Sequence, residues 1–166
     1  MIGSMKYRRD SAMSKVRKAI ADHNGCTILS AGITSIVPGI TALAAVEAGV
    51  RMIEISQNGV ALDYGFMGVK DRRRAIRVSH LLPTEWMVQK VEGMRNVLGD
   101  DVFIAVGTPG LWTQPGPARF DDDLGLALAR AGADGLHTHF STLEDLEEAT
   151  KIAHRCGLVV DAYICP

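Results

Sequence analysis

The sequence predicts an α/β protein built on a parallel sheet. Helical apolar patterns close at Gly49, Gly99, Gly132 and Gly157, and each glycine leads directly into a short apolar run. Apolar positions recur at helical spacing before each glycine, and each glycine closes a helix and opens a strand. Four repeats of one helix-Gly-strand step require parallel strands joined by right-handed crossovers.

In chain order, Ser11 to Asn24 carries Met13, Val16, Ile20 and Ala21 at helical intervals and stops at Asn24-Gly25. Residues 1–10, with the Gly-Ser pair in MIGSM, are expected to be a disordered or tag-like terminus ahead of a single α/β domain over 11–166. Cys26 to Leu29 reads as a first strand, AGITSIVPG as a loop, Thr41 to Ala48 as a helix and Val50 to Ile55 as a second strand. Gln57 to Pro83 lacks a sustained period, holds the basic run Lys70, Arg72, Arg73 and Arg74, and is helical at most over Asp71 to Ser79. Thr84 is placed to cap a helix that ends at Gly99, and Val102 to Val106 is strand three. A second Gly/Pro-rich loop leads to Asp121, Asp122 and Asp123, which put negative charge at a helix N-terminus. Gly135 to His139 is strand four, Ser141 and Glu144 have capping-box spacing for a further helix, and Leu158 to Ile164 is strand five.

The totals narrow the function. With 166 residues, 18 Lys+Arg against 19 Asp+Glu and a net charge of -1, the chain has no global field for nucleic acid or an anionic membrane. Its apolar runs are too short to span a bilayer, and the expected location is cytoplasmic. Cys26, Cys156 and Cys165 are odd in number and lack Cys-x-x-Cys spacing, which fits reduced thiols. The loop after strand one has neither Gly-x-Gly-x-x-Gly nor Walker spacing, so no nucleotide cofactor is expected.

The phrases AAVEAGVRMIEIS and LARAGADGLHTH resemble the helix-Gly-strand steps of TIM-barrel enzymes of the aldolase, lyase and phosphosugar-isomerase type. The first is also similar, more distantly, to the phosphoenolpyruvate mutase and ketopantoate hydroxymethyltransferase superfamily. The resemblance implies a barrel-like fold with active groups at the carboxyl ends of the strands. In the latter families metal-binding acids follow strands two and three, where this chain has Ser56-Gln57 and Gly107-Thr108, so that site does not carry over. A closed barrel takes eight strands and about 250 residues. With five strands the expectation is a partial barrel whose exposed edges favour a homo-oligomer; the alternative is an open doubly wound sheet.

Candidate chemistry collects at the strand ends. In an extended strand His137 and His139 share a face about 6.6 Å apart, a spacing that suits one divalent metal ion, Zn, Mn or Mg. Glu54 near the end of strand two and Asp161 on strand five are the candidate catalytic carboxylates. Ser56, Arg72 and Arg73 are the candidate substrate-binding groups, the arginines as a fork for a carboxylate or phosphate. Each has a plainer reading: hydrogen-bonded histidines, a salt-bridged Glu54, a capping Asp161, a solvated arginine face. The favoured function is a metal-assisted lyase or isomerase acting on a small anionic carbonyl compound. Its rivals are a non-catalytic ligand-binding or regulatory α/β domain, favoured if the imidazoles and carboxylates scatter over separate faces, and an inactive barrel fragment.

Overall fold

The computed structural model describes residues 2–24, 30–33, 37–107, 120–139 and 143–163. They form α1 (Ile2–Asp22), β1 (Ser30–Gly32), α2 (Pro38–Glu47), β2 (Met52–Ser56), α3 (Gln57–Asp63), α4 (Arg72–Val78), α5 (Thr84–Leu98), β3 (Phe103–Gly107), α6 (Asp122–Ala131), β4 (Gly135–His139), α7 (Leu143–Cys156) and β5 (Val159–Tyr163). Short 3-10 turns at Phe66–Gly68 and Ser79–Leu81 flank α4.

The five strands make one parallel sheet in the order β1-β2-β3-β4-β5. A doubly wound sheet reverses its strand order at a switch point, whereas this order never reverses, so the open-sheet alternative gives way to an unclosed arc of a barrel. Strand alternation divides the apolar residues between two faces. Ile53, Ile55, Ile104, Val106, Leu136 and Leu158 point outward into the main core, together with Val91 and Met94 of α5 and Leu128 of α6. Phe103 and Ala105 point inward and meet Ala12 of α1, with Val16, Met52 and Val159 around them. The short Ala12 side chain lets the helix approach the sheet closely, and Phe103 is buried to 1 % exposure beneath it.

The helix-Gly-strand steps hold. Gly49, Gly99, Gly132 and Gly157 all have positive φ, between 64° and 102°, a conformation that costs a glycine little. Asp121 caps α6 through its carboxylate, which accepts the Leu124 N–H. Elsewhere the boundaries move. The helix before β2 starts at Pro38, whose fixed φ and missing N–H suit a first helical position. Thr84 is the first residue of α5 and makes no side-chain cap. The Cys26 to Leu29 strand, the Ser141 cap and most of the second Gly/Pro-rich loop lie outside the described residues, and β1 is seen at Ser30–Gly32.

Two differences are larger. Residues 1–10, expected as a disordered terminus, are almost wholly inside α1, which begins at Ile2. Long-range bonds hold it there: Arg8 donates to the carbonyls of Ala129 and Ala133 and Arg9 to that of His154. The long β2–α5 connection is built rather than irregular. Ser56 caps α3, and the Tyr64 and Phe66 rings pack on Trp86 at 4.7 and 5.7 Å between centroids. Lys90 of α5, buried, pairs with Asp63 and lies over the Tyr64 ring.

Asp134 ties these layers together. One carboxylate oxygen takes Lys15 of α1 at 2.7 Å, and the other takes Arg95 of α5 at 2.7 Å and the Ile104 backbone N–H of β3 at 3.0 Å. Removing one member of such a buried set strands the remaining charges. Asp134→Ala is therefore expected to cost about 3–5 kcal/mol of stability, read as a lowered midpoint in urea unfolding, whereas Lys18→Ala, which breaks only the exposed Lys18–Asp22 pair, should change it by under about 0.5 kcal/mol.

Candidate active site

The carboxyl ends of β2 to β5 bring three of the expected residues together on the inner face. The parallel register sets Ser56 beside Gly107, Gly107 beside His137 and His137 beside Asp161. Glu54, two residues before Ser56, faces the same way. The His137 ring lies between the two acids, with Nδ1 2.9 Å from Asp161 Oδ2 and Nε2 3.8 Å from Glu54 Oε2. The first is a hydrogen bond. The second lies beyond hydrogen-bonding range and acts through charge.

Gly107 makes room for this arrangement. A Cβ built there would sit 2.8 Å from Glu54 Oε1 and 3.2 Å from the Ser56 Cβ. An inward-facing side chain on β3 would thus displace the Glu54 carboxylate, and the bare backbone leaves it lying across the strand. Sequence reading named Gly107 only as a missing acid. The available signal was a glycine ending the apolar run FIAVG at an inward position.

The electrostatics follow from the geometry. The hydrogen bond to Asp161 raises the His137 pKa above its ordinary value, burial opposes the rise, and the Glu54 charge adds to it. With Nδ1–H donated to Asp161, neutral His137 would direct the Nε2 lone pair toward the Glu54 carboxylate. Protonation of Nε2 turns that repulsion into attraction. The side chain of His137 is 13 % exposed against 48 % for Asp161 and 27 % for Glu54, so solvent reaches the carboxylates more readily than the ring they hold.

The other expected residues are placed differently. Ser56 Oγ accepts the Gly59 N–H at 3.1 Å as the α3 cap, which leaves its hydroxyl proton to be donated elsewhere. Arg72 and Arg73 stand exposed on α4, capped by Asp71, and no contact joins them to Glu54 or His137 among the described residues. His139 ends β4 opposite Tyr163, but its side chain lies outside the described residues. Among those residues no group of three or more His, Cys, Asp and Glu is disposed to hold a metal ion. Binding through His137 Nδ1 would require breaking its bond to Asp161. Cys156 is a buried free thiol whose pKa burial pushes up, the state of an unreactive cysteine. Among the described residues no helix is long and apolar enough to cross a membrane.

Because the folded-state pKa of His137 is raised, the stability it contributes is fully present below the unfolded value near 6.5 and is lost as pH climbs through the folded value. Unfolding of the parent protein and of His137→Gln, compared from pH 5 to 9, should show a difference that shrinks across that window. NMR titration of the His137 ring gives the site-specific check. Asp161→Asn should lower its pKa most and Glu54→Gln less, and Gly107→Ala should lower it by moving Glu54 while the fold persists.

No family model matches the chain, and no curated protein matches it significantly. Solved structures do. Tryptophan synthase subunit alpha from Legionella pneumophila str. Paris superposes with a TM-score of 0.57 at 17% identity, covering 90% of this chain and 56% of that one. The tryptophan synthase alpha chain from Legionella pneumophila subsp. pneumophila gives a TM-score of 0.57 at 18% identity, with 90% and 55% covered. The chain thus spans a little over half the length of these proteins, and at such identity the likeness is one of fold: a TIM-barrel-like α/β arc.

Proposed function

We propose that the protein is a lyase or isomerase that moves protons on a small anionic carbonyl compound. The observation that carries this reading is the convergence of Glu54, His137 and Asp161 from three separate strands over the bare backbone of Gly107. Two acids at the ends of different strands with one imidazole between them match an acid-base task better than a structural one, since inward-facing charge is costly without a ligand or partner. The position also fits, because barrel-type sheets gather their reacting groups at this end. The fold shared with tryptophan synthase alpha, whose name marks a synthase, agrees at the level of architecture.

In the proposed step, Glu54 takes a proton from the carbon next to the substrate carbonyl while the His137 imidazolium gives its Nε2 proton to the carbonyl oxygen. The C–H electron pair forms the new C=C bond, and the carbonyl pair becomes the enol O–H, an enediol where the neighbouring carbon already bears a hydroxyl. Asp161 acts as a positioning residue: it fixes the ring through Nδ1–H and keeps the imidazolium populated near neutral pH. Ser56 supplies a hydroxyl donor beside the site. The anionic end of the substrate is assigned to Arg72 and Arg73, which belong to the connection leaving the sheet at the end that carries Glu54. Were a divalent ion bound, His137 through Nε2 and His139 would hold it, and it would supply the polarisation of the carbonyl that the imidazolium proton otherwise supplies.

The test is solvent exchange in D₂O, followed by proton NMR, for a panel of small keto acids and phosphorylated ketoses. Exchange at one compound, lowered about 10²–10⁴-fold by Glu54→Gln and by His137→Gln, is expected. Exchange that neither substitution slows would sink the assignment, and binding of panel compounds without exchange would favour the non-catalytic ligand-binding domain. A rate that rises with Zn²⁺, Mn²⁺ or Mg²⁺ and falls in His139→Ala would make the step metal-assisted.

A further inference from the structure

The amino ends of the strands, opposite the candidate active site, carry a second feature. A cavity of about 580 Å³ lies between α1, α5 and the turn from α6 into β4. Its wall includes four cations, Arg8, Lys15, Arg95 and Arg130, against three carboxylates, Glu92, Asp100 and Asp134. Two of the cations are committed. Lys15 is held by Asp134, and Arg95 spends its N–H groups on Asp134 and on the carbonyls of Gly99, Val102 and Gly132.

The other two are not. Arg8 donates through Nη2 to the carbonyls of Ala129 and Ala133 at 2.6 and 3.2 Å, which are neutral acceptors and leave its charge uncompensated. Its Nε is buried and has no hydrogen-bond partner among the described residues. A buried N–H on a cation is costly to leave unsatisfied, so this atom asks for an acceptor, preferably a charged one. Arg130, exposed on α6, has no ion pair or hydrogen bond among the described residues. Tyr7, 75 % exposed, and Ser11 add hydroxyl donors from α1 to the same cavity.

We propose that this cavity is a binding site for a small oxyanion, a phosphate or carboxylate compound, held between Arg8 of α1 and Arg130 of α6. One oxygen satisfies the buried Nε of Arg8, while Arg130 closes over the anion from the solvent side. Glu92 of α5 and Asp100 in the turn after it oppose a highly charged ligand, so the fitting anion carries one or two charges. Because its two arginines come from elements far apart in sequence, the ligand would clasp α1 to the body of the protein and raise stability by mass action.

The test is thermal unfolding of the full chain in inorganic phosphate and in succinate, each against sodium chloride at equal ionic strength. A saturable rise in melting temperature is expected, about 3 °C at ten times the half-saturating concentration, and whichever anion produces it identifies the source. Arg130→Ala should abolish the rise while leaving the ligand-free melting temperature within about 1 °C, since that side chain is exposed and unpartnered. Arg8→Lys, which keeps the charge and a donor for the carbonyls but lacks Nε, should raise the half-saturating concentration at least tenfold. The rise should persist when Arg72 and Arg73 are both changed to Ala. The proposal is overturned by no rise beyond chloride, by a rise that Arg130→Ala leaves intact, or by one that vanishes in the Arg72/Arg73 variant.

Discussion

The structure hangs on the carboxylate of Asp134. It sits 8 % exposed in the turn before β4 and gathers a lysine from α1, an arginine from α5 and a backbone N–H from β3. Neither cation is free to leave, because each is itself largely buried and would lose its counter-charge. Arg95 extends the network to the carbonyls of Gly99, Val102 and Gly132, so the turns before β3 and β4 are fastened by one side chain. A single acid thereby sets the height of α1 beneath the sheet, the position of α5 on its outer face and the spacing of β3 and β4.

That spacing fixes what happens at the other end of the strands. With β3 and β4 held in register, Gly107 lies beside His137, and the alternation of side chains carries Glu54, His137 and Asp161 inward at neighbouring positions. Their grouping needs no special loop. It follows from parallel pairing, from glycine at the crowded position of β3 and from charged residues on the inward phase of three strands. The two ends of the sheet thus divide the labour between fastening and chemistry.

What the sequence makes legible is what depends on neighbours in the chain. The helix-Gly-strand steps announce themselves because a positive-φ glycine and a change of apolar period are local signals. The inward phase of Glu54, His137 and Asp161 was readable for the same reason, since alternation needs only a correct strand. The partners of Asp134 were not: Lys15 lies 119 residues away, and nothing in AGADGLHTH distinguishes a structural hub from an ordinary turn aspartate. The start of α1 was hidden likewise, its first turns being held by carbonyls more than 120 residues further on. α3 escaped because Gly59 interrupts a short segment, and Ser56, read as a substrate-binding group, caps it.

The attachment of α1 has a consequence for the order in which the molecule is made. This helix is synthesised before its acceptors on Ala129, Ala133, Asp134 and His154, which follow its donors by 119 to 145 residues. Until then α1, which covers the inward face of β3 at Phe103, lacks the polar bonds that hold it there. These long-range bonds cannot form until the acceptors exist, and loop closure of this length is paid before any contact rewards it. Between the making of β3 and that of these acceptors, the nascent chain holds an apolar sheet face whose cover is not yet tied down.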